Sequence, residues 1–201
     1  MCNCSHSHSS IEEDLNSQYS LFAHVDVANV TSLNCTAESN AAKIFRPYCE
    51  RLSKRYFVES DVDSQIILRI PFTGSIKIRS ISVFSEGGDE SPSLCKAFVN
   101  MDVDFDNVMQ VEPTQEFEMA RQEYEECAEY VTKVSKFSNV QTLTLFFEDN
   151  FGGEKTRIYF IGFKGEYTPM KREAVVAIYE AKPMLSDHKN EIEEKSHNII
   201  Q

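Results

Sequence analysis

The chain has no tryptophan, only seven glycines and six prolines in 201 residues. Nor does it contain an apolar run near the roughly 20 residues that a bilayer-spanning helix requires. Its glycines, Gly74, Gly87, Gly88, Gly152, Gly153, Gly162 and Gly165, form no phosphate-cradling loop. Also missing are a G-x-S-x-G elbow, an H-E-x-x-H helix and a C-x-x-C pair, so hydrolase, zincin and dithiol chemistry find no support. The opening MCNCSHSHSS lacks the basic start and apolar centre of a secretory leader, and a cytoplasmic or nuclear location is expected. Thiols stay reduced there, so Cys35, Cys49, Cys95 and Cys127 are read as free. Asn29-Val30-Thr31 and Asn34-Cys35-Thr36 are then chance matches to the glycosylation pattern, which needs the secretory route.

Basic residues are scarce where acid is abundant. Between Glu86 and Glu129 thirteen carboxylates face only Lys96 and Arg121, a span that holds most of the net charge of −12. Such a concentration disfavours nucleic acid and anionic membranes, and steers toward a basic partner surface unless it is simply a solvated loop region. From Lys43 to Arg55 the balance reverses, with five cations against Glu50, too short and mixed a run to argue for nucleic acid.

With 41% apolar residues the chain can bury one core. Residues 1–18, rich in Ser, Asn, Glu and His, read as a flexible arm; 19–185 as one domain; and 186–201, a charged stretch tipped by Ile199-Ile200, as a flexible tail. Within the domain the period is that of strands. Ile66, Leu68 and Ile70 alternate with Gln65, Ile67 and Arg69, after which Pro71 removes a ladder donor and Thr73-Gly74 makes a turn, predicting two antiparallel strands around a tight corner. The alternation of Ser75 to Phe84 changes phase near Arg79-Ser80, which predicts a bulge. Glu86 to Pro92 is an acidic turn, Ser93 to Val99 a short strand, and Thr142 to Phe147 with Arg157 to Phe163 a hairpin about Asn150-Phe151-Gly152-Gly153. Glu173 to Tyr179 would be the last strand. Glu116 to Tyr130 has poor helical spacing and is read as loop with one helical turn. Many short strands between Gly, Pro and acidic turns argue for an antiparallel sandwich or barrel.

Several strings sharpen this. Phe45-Arg46-Pro47-Tyr48 looks like a Phe-Lys-Pro-Trp segment, and Phe57-Val58-Glu59-Ser60-Asp61, Ile70-Pro71-Phe72-Thr73-Gly74, Ser135-Lys136-Phe137-Ser138-Asn139-Val140, Asn150-Phe151-Gly152, Ile161-Gly162-Phe163-Lys164-Gly165-Glu166 and Tyr179-Glu180-Ala181 follow in order. In this the chain resembles the PITH family, named for proteasome-interacting thioredoxin, over roughly Tyr19 to His188. Some family members carry a preceding thioredoxin domain with a Trp-Cys-x-x-Cys site, and this chain has neither Trp nor that motif, so it resembles the stand-alone form. The resemblance implies an all-β, antiparallel jelly-roll β-sandwich similar to galactose-binding-like domains.

Candidate chemistry is sparse. Cys2, Cys4, His6 and His8 alternate as soft and borderline metal ligands, but in one extended arm without supporting groups such a set favours adventitious capture. Asp102, Asp104 and Asp106 mimic the start of an EF-hand loop, yet Asn107 stands where Gly is needed and Pro113 where the bidentate Glu belongs, so a solvated acidic turn is the better account. His24, with Cys49 as one conceivable partner, reads as a surface or core histidine. Phe45, Phe57, Phe72, Phe84, Phe137, Phe146, Tyr159 and Phe163 read as core, whereas Phe151, placed in a turn, either folds back or anchors an interface. No catalytic residue, cofactor or metal site is assigned.

Three functions compete. The resemblance implies a non-catalytic interaction module that docks on the proteasome regulatory particle, through a loop-rimmed face or its tail; a monomer is expected, because nothing in the sequence suggests a coiled coil or a conspicuous apolar patch. The architecture alone suggests a carbohydrate-binding module, for which the absence of Trp leaves fewer flat platforms. The N-terminal Cys/His arm suggests a metal-handling or thiol protein.

Overall fold

The computed structural model describes residues 19–121 and 127–169. Nine strands and four short 3-10 helices make up its regular structure among these residues: β1 (Thr31–Leu33), β2 (Val58–Glu59), β3 (Ile66–Phe84), β4 (Pro92–Val99), β5 (Gln115–Glu118), β6 (Ala128–Val131), β7 (Val140–Asn150), β8 (Arg157–Ile158) and β9 (Phe160–Thr168). Every pairing is antiparallel.

The architecture turns on β3, 19 residues long. Its first part lies between β1 and β7, with Leu68 opposite Ser32 and Leu145, and the sheet continues through β4 to β5. Its second part lies between β9 and β6, with Ile81 opposite Phe163 and Tyr130. One strand therefore belongs to both layers of an all-β sandwich. The expected tight corner is a change of partner within a continuous strand. Pro71, which has no N–H to give, ends the run paired with β7, and the register shifts between Pro71 and Ile76. Gly74 lies where a Cβ would stand 2.6 Å from the Tyr167 ring, so its missing side chain admits the end of β9 rather than making a turn.

The bulge falls where the alternation predicted it, with a register shift between Ile78 and Ser80. It returns Ile81 and Val83 to the same core as Ile76 and Ile78. That core also takes Leu68, Ile70, Leu143, Leu145 and Phe147 from one layer and Ile161 and Phe163 from the other. The expected aromatics fill it or its satellites: Phe84, Phe137 and Phe146 are fully buried.

Two further expectations are corrected. β7 and β9 do not form a hairpin: the Asn150 turn leads out of one layer, through β8 paired with β2, into the other. Alternation reports that a segment is a strand and not which strand lies beside it. Within 116–130 the structure has β5 and β6, and Phe117 and Met119 are buried between exposed Glu116 and Glu118, a period of two that the acidic composition disguised. The strand expected at Glu173 to Tyr179 lies outside the described residues, as do Cys2, Cys4, His6 and His8.

Candidate functional site

Two of the strings that carry the family resemblance, at Glu59-Ser60 and at Asn150, are joined in the fold through Thr156 and Arg157. Glu59 and Arg157 are directly opposite on β2 and β8, so their side chains share one face. Arg157 Nε donates to Glu59 Oε2 at 2.6 Å, a second guanidinium N–H donates to the same oxygen, and Lys155 Nζ lies 3.4 Å from Oε1. Burial works against the Glu59 carboxylate, but the hydrogen bonds and charge of Arg157 and Lys155 outweigh it and hold its pKa below the ordinary value.

Behind this pair the polar groups close on one another. The Ser60 N–H donates to Thr156 O at 3.0 Å and Ser60 Oγ accepts from the Thr156 N–H at 2.9 Å. Thr156 Oγ1 donates to Ser64 O at 2.6 Å. Asn150 Nδ2 reaches Gly153 O, Lys155 O and Thr156 Oγ1 at 2.9, 3.0 and 3.2 Å, while its Oδ1 accepts from the Gly152 N–H at 2.9 Å. Gly152 holds φ at 106°, a conformation that glycine enters without a Cβ penalty. Ser60, Asn150 and Thr156 are all buried. Residues ninety positions apart thus brace one loop rim.

Arg46 braces its neighbour. It is 7% exposed, and its Nε donates to Glu50 O at 3.0 Å while Nη2 donates to Tyr159 O at 2.9 Å and to Ser53 O. Burial lowers its pKa. Tyr159 Oη donates to Glu86 Oε2 at 2.9 Å, and Lys54 Nζ donates to Glu86 Oε1 at 2.8 Å, so Lys54 and Tyr159 hold the Glu86 carboxyl below its usual range. The basic stretch lies partly on aromatic faces: Arg51 sits 4.3 Å from the Tyr48 ring centroid, and Lys43 and Arg55 sit 4.6 and 5.1 Å from that of Tyr56.

The other candidates go elsewhere. His24 stacks on Tyr167 with ring centroids 3.6 Å apart, whereas Cys49 is exposed on the 3-10 helix Tyr48–Glu50. Asp102 pairs with Arg69, and Asp104 Oδ1 accepts from the Asp106 and Asn107 N–H groups at 3.0 and 3.1 Å. The Asp104 carboxylate serves its own turn, and that of Asp102 ties the turn to β3. Among the described residues no three His, Cys, Asp or Glu side chains are placed to share a metal ion. Phe151 is half-buried, with its N–H on Ser91 O at 3.2 Å and Arg121 5.9 Å from its ring. Cys35, Cys49, Cys95 and Cys127 are free thiols, and burial pushes Cys127 up to about 12. Sequence reasoning did not foresee the Ser60–Thr156–Asn150 network: its members are common polar residues, and only the family strings marked their neighbourhoods.

Among the solved structures similar in fold are two from Clostridium perfringens. A CBM32-3 domain of a family 31 glycoside hydrolase superposes with a TM-score of 0.52 at 9% identity, covering 76% of this chain and 98% of that one. The CBM32-1 and CBM32-2 domains of ZmpB give 0.55 at 10% identity over 82% of this chain and 41% of theirs. At such identities the likeness is one of fold, and the fold is the jelly-roll sandwich of galactose-binding-like domains. Among curated proteins, PITH domain-containing protein 1 of Dictyostelium discoideum is 40% identical over 193 residues, 95% of this chain and 94% of its own length. The Homo sapiens protein of that name is 34% identical over 190 residues, 94% and 89% of the two chains. Neither name states a reaction. The family model for the PITH domain matches residues 11–183, and with these relatives it establishes that the chain belongs to the PITH domain family.

Proposed function

We propose that the protein is a non-catalytic interaction module that docks on the regulatory particle of the 26S proteasome. Family membership supports an interaction role. The structural observation that carries the reading is the fate of the polar groups in two of the family strings: Glu59, Ser60 and Asn150 are spent on Arg157, Thr156 and the turn at Gly152. Such a rim offers a fixed surface rather than a reacting group, and a preorganised surface loses little entropy on association. The acidic span from Glu86 to Glu129 would speed encounter with a basic partner and make it salt-dependent. The carbohydrate reading has only the shared architecture behind it, and the metal reading rests on an arm outside the described residues.

The test is binding of the purified full-length protein to purified regulatory particle at near-native salt, by co-sedimentation, alongside a chain ended after Pro183. Saturable binding is the expected result, and its loss on truncation would place the contact in the tail. Failure of the full-length protein to co-sediment with the particle would refute the proposal.

A further inference from the structure

The outer face of the β1-β3-β7-β4 layer is apolar, although the main core lies on the other side. Ile67, Phe98 and Phe146 alternate with residues of that core, so they point away from it. They are covered by a single loop, residues 100–113, which lays Val103 and Val108 over them. The cover is incomplete. Backbone bonds from Val108 N–H to Asp104 O at 2.9 Å and from Val111 N–H to Asn107 O at 3.2 Å close a helical turn. Phe105 and Met109, four apart, therefore share a side. Met109 is 68% exposed and Met101 41%, while Phe105, edge-on to Phe146, is 38% exposed. Leu33 continues the patch from across the face, for it stands opposite Ile67, itself opposite Phe146, and is 40% exposed.

The loop that makes this patch carries charge of one sign. Between Met101 and Glu112 the loop carries Asp102, Asp104, Asp106 and Glu112, with no lysine or arginine. The two cations beneath it are neutralised, Arg69 by Asp102 and Lys96 by Glu148 at 2.5 Å. Charge decides among the occupants. A second copy would set these acids against themselves. The chain's own ends suit the patch no better, since residues 1–18 hold three acids and no lysine or arginine, and 170–201 hold six acids against five lysines and arginines, with no net positive charge to set against the rim. Resting on the interaction role proposed above, we infer that this face receives a basic amphipathic segment of a partner protein, its apolar side chains on Met101, Phe105, Met109 and Leu33 and its lysines or arginines on the acidic rim. Flexible, polarisable methionines suit a surface that adapts to the incoming side chains.

The test follows methionine methyl resonances of the full-length protein during titration with an 18-residue Leu/Lys peptide of amphipathic helical spacing, and with the same peptide carrying Glu for Lys. Met101 and Met109 should shift with the first peptide alone, while buried Met119 stays in place and reports an intact fold. Asp106→Lys with Glu112→Lys should weaken binding about tenfold or more at low salt, and Met109→Ser about threefold or more. Val131→Ser, at an exposed position on β6, should leave it unchanged. Equal shifts with both peptides, shifts absent from Met101 and Met109, or unaltered affinity in the charge variant would overturn the inference. Regulatory particle separates this from the proposed function. Binding of the particle by wild type but not by the charge variant supports both, and equal binding by both overturns this surface while docking stands. No binding by either, with the peptide result intact, overturns docking and leaves the surface.

Discussion

Replacing Asn150 probes whether the loop rim is held as described. The side chain is 7% exposed and has two N–H groups to share among Gly153 O, Lys155 O and Thr156 Oγ1, while its carbonyl takes the Gly152 N–H. Asn150→Ala thus removes three hydrogen bonds' worth of interaction and strands polar atoms that water reaches poorly. At a net value near 1 kcal/mol per bond, the loss is about 2–4 kcal/mol. For a chain of this size that is a fall of roughly 5–15 °C in Tm. Asn150→Asp keeps the shape and the acceptor but turns a carboxylate oxygen toward two carbonyls. The introduced group should have a raised folded-state pKa, since its neutral form alone can donate. The folded variant then binds a proton more readily than the unfolded one, so its deficit relative to wild type must shrink as pH falls from 7 to 5. Urea titrations at both pH values measure this directly. A loss under about 1 kcal/mol for Asn150→Ala, less than three bonds give even at the weak end of their range, would refute the account. So would an Asn150→Asp deficit that does not change with pH.

Other predictions follow from the same geometry. At Gly165 a Cβ would stand 1.9 Å from Lys77 O, so Gly165→Ala must part β9 from β3 and should cost about 2–3 kcal/mol or more in chemical denaturation; a variant as stable as wild type would show the strands less closely set. Glu59, Glu86 and Glu129 all have lowered pKa values, Glu59 and Glu129 despite burial that opposes it. The unfolded chain therefore takes up more protons in acid, and this stability, present above an unfolded Glu value of about 4.3, is lost as pH falls through the lower folded values. Replacing Glu59 with Gln should flatten the acid limb of the stability curve, and an unchanged limb would count against the Arg157 pairing. In the folded protein at pH 8, iodoacetamide should modify exposed Cys49 and spare Cys95, 4% exposed and with a thiol pKa raised by burial, as peptide mapping would reveal.

The amino-acid sequence by itself determined that this is an antiparallel β protein, because period-two alternation is written locally at Ile66 to Ile70 and Thr142 to Phe147. It also determined the bulge at Arg79, where a change of phase is the only way to keep Ile78 and Ile81 in one core. Phe117 and Met119 were equally legible as a strand, once Glu116 and Glu118 are read as its solvent face rather than as loop. Only the tertiary structure decided which strands are neighbours. Pro71-Phe72-Thr73-Gly74 has the composition of a turn, yet serves a continuous strand that exchanges β7 for β9, since a missing donor and a missing side chain suit either use. The polar network is likewise tertiary: nothing local to Ser60 announces Thr156 or Asn150, and their bonds exist because β2 and β8 bring the segments together. The apolar patch is the same kind of fact. Phe105 and Met109 are ordinary loop residues in one dimension, and become a surface only because Val103 and Val108 of the same loop are consumed in covering Ile67 and Phe146.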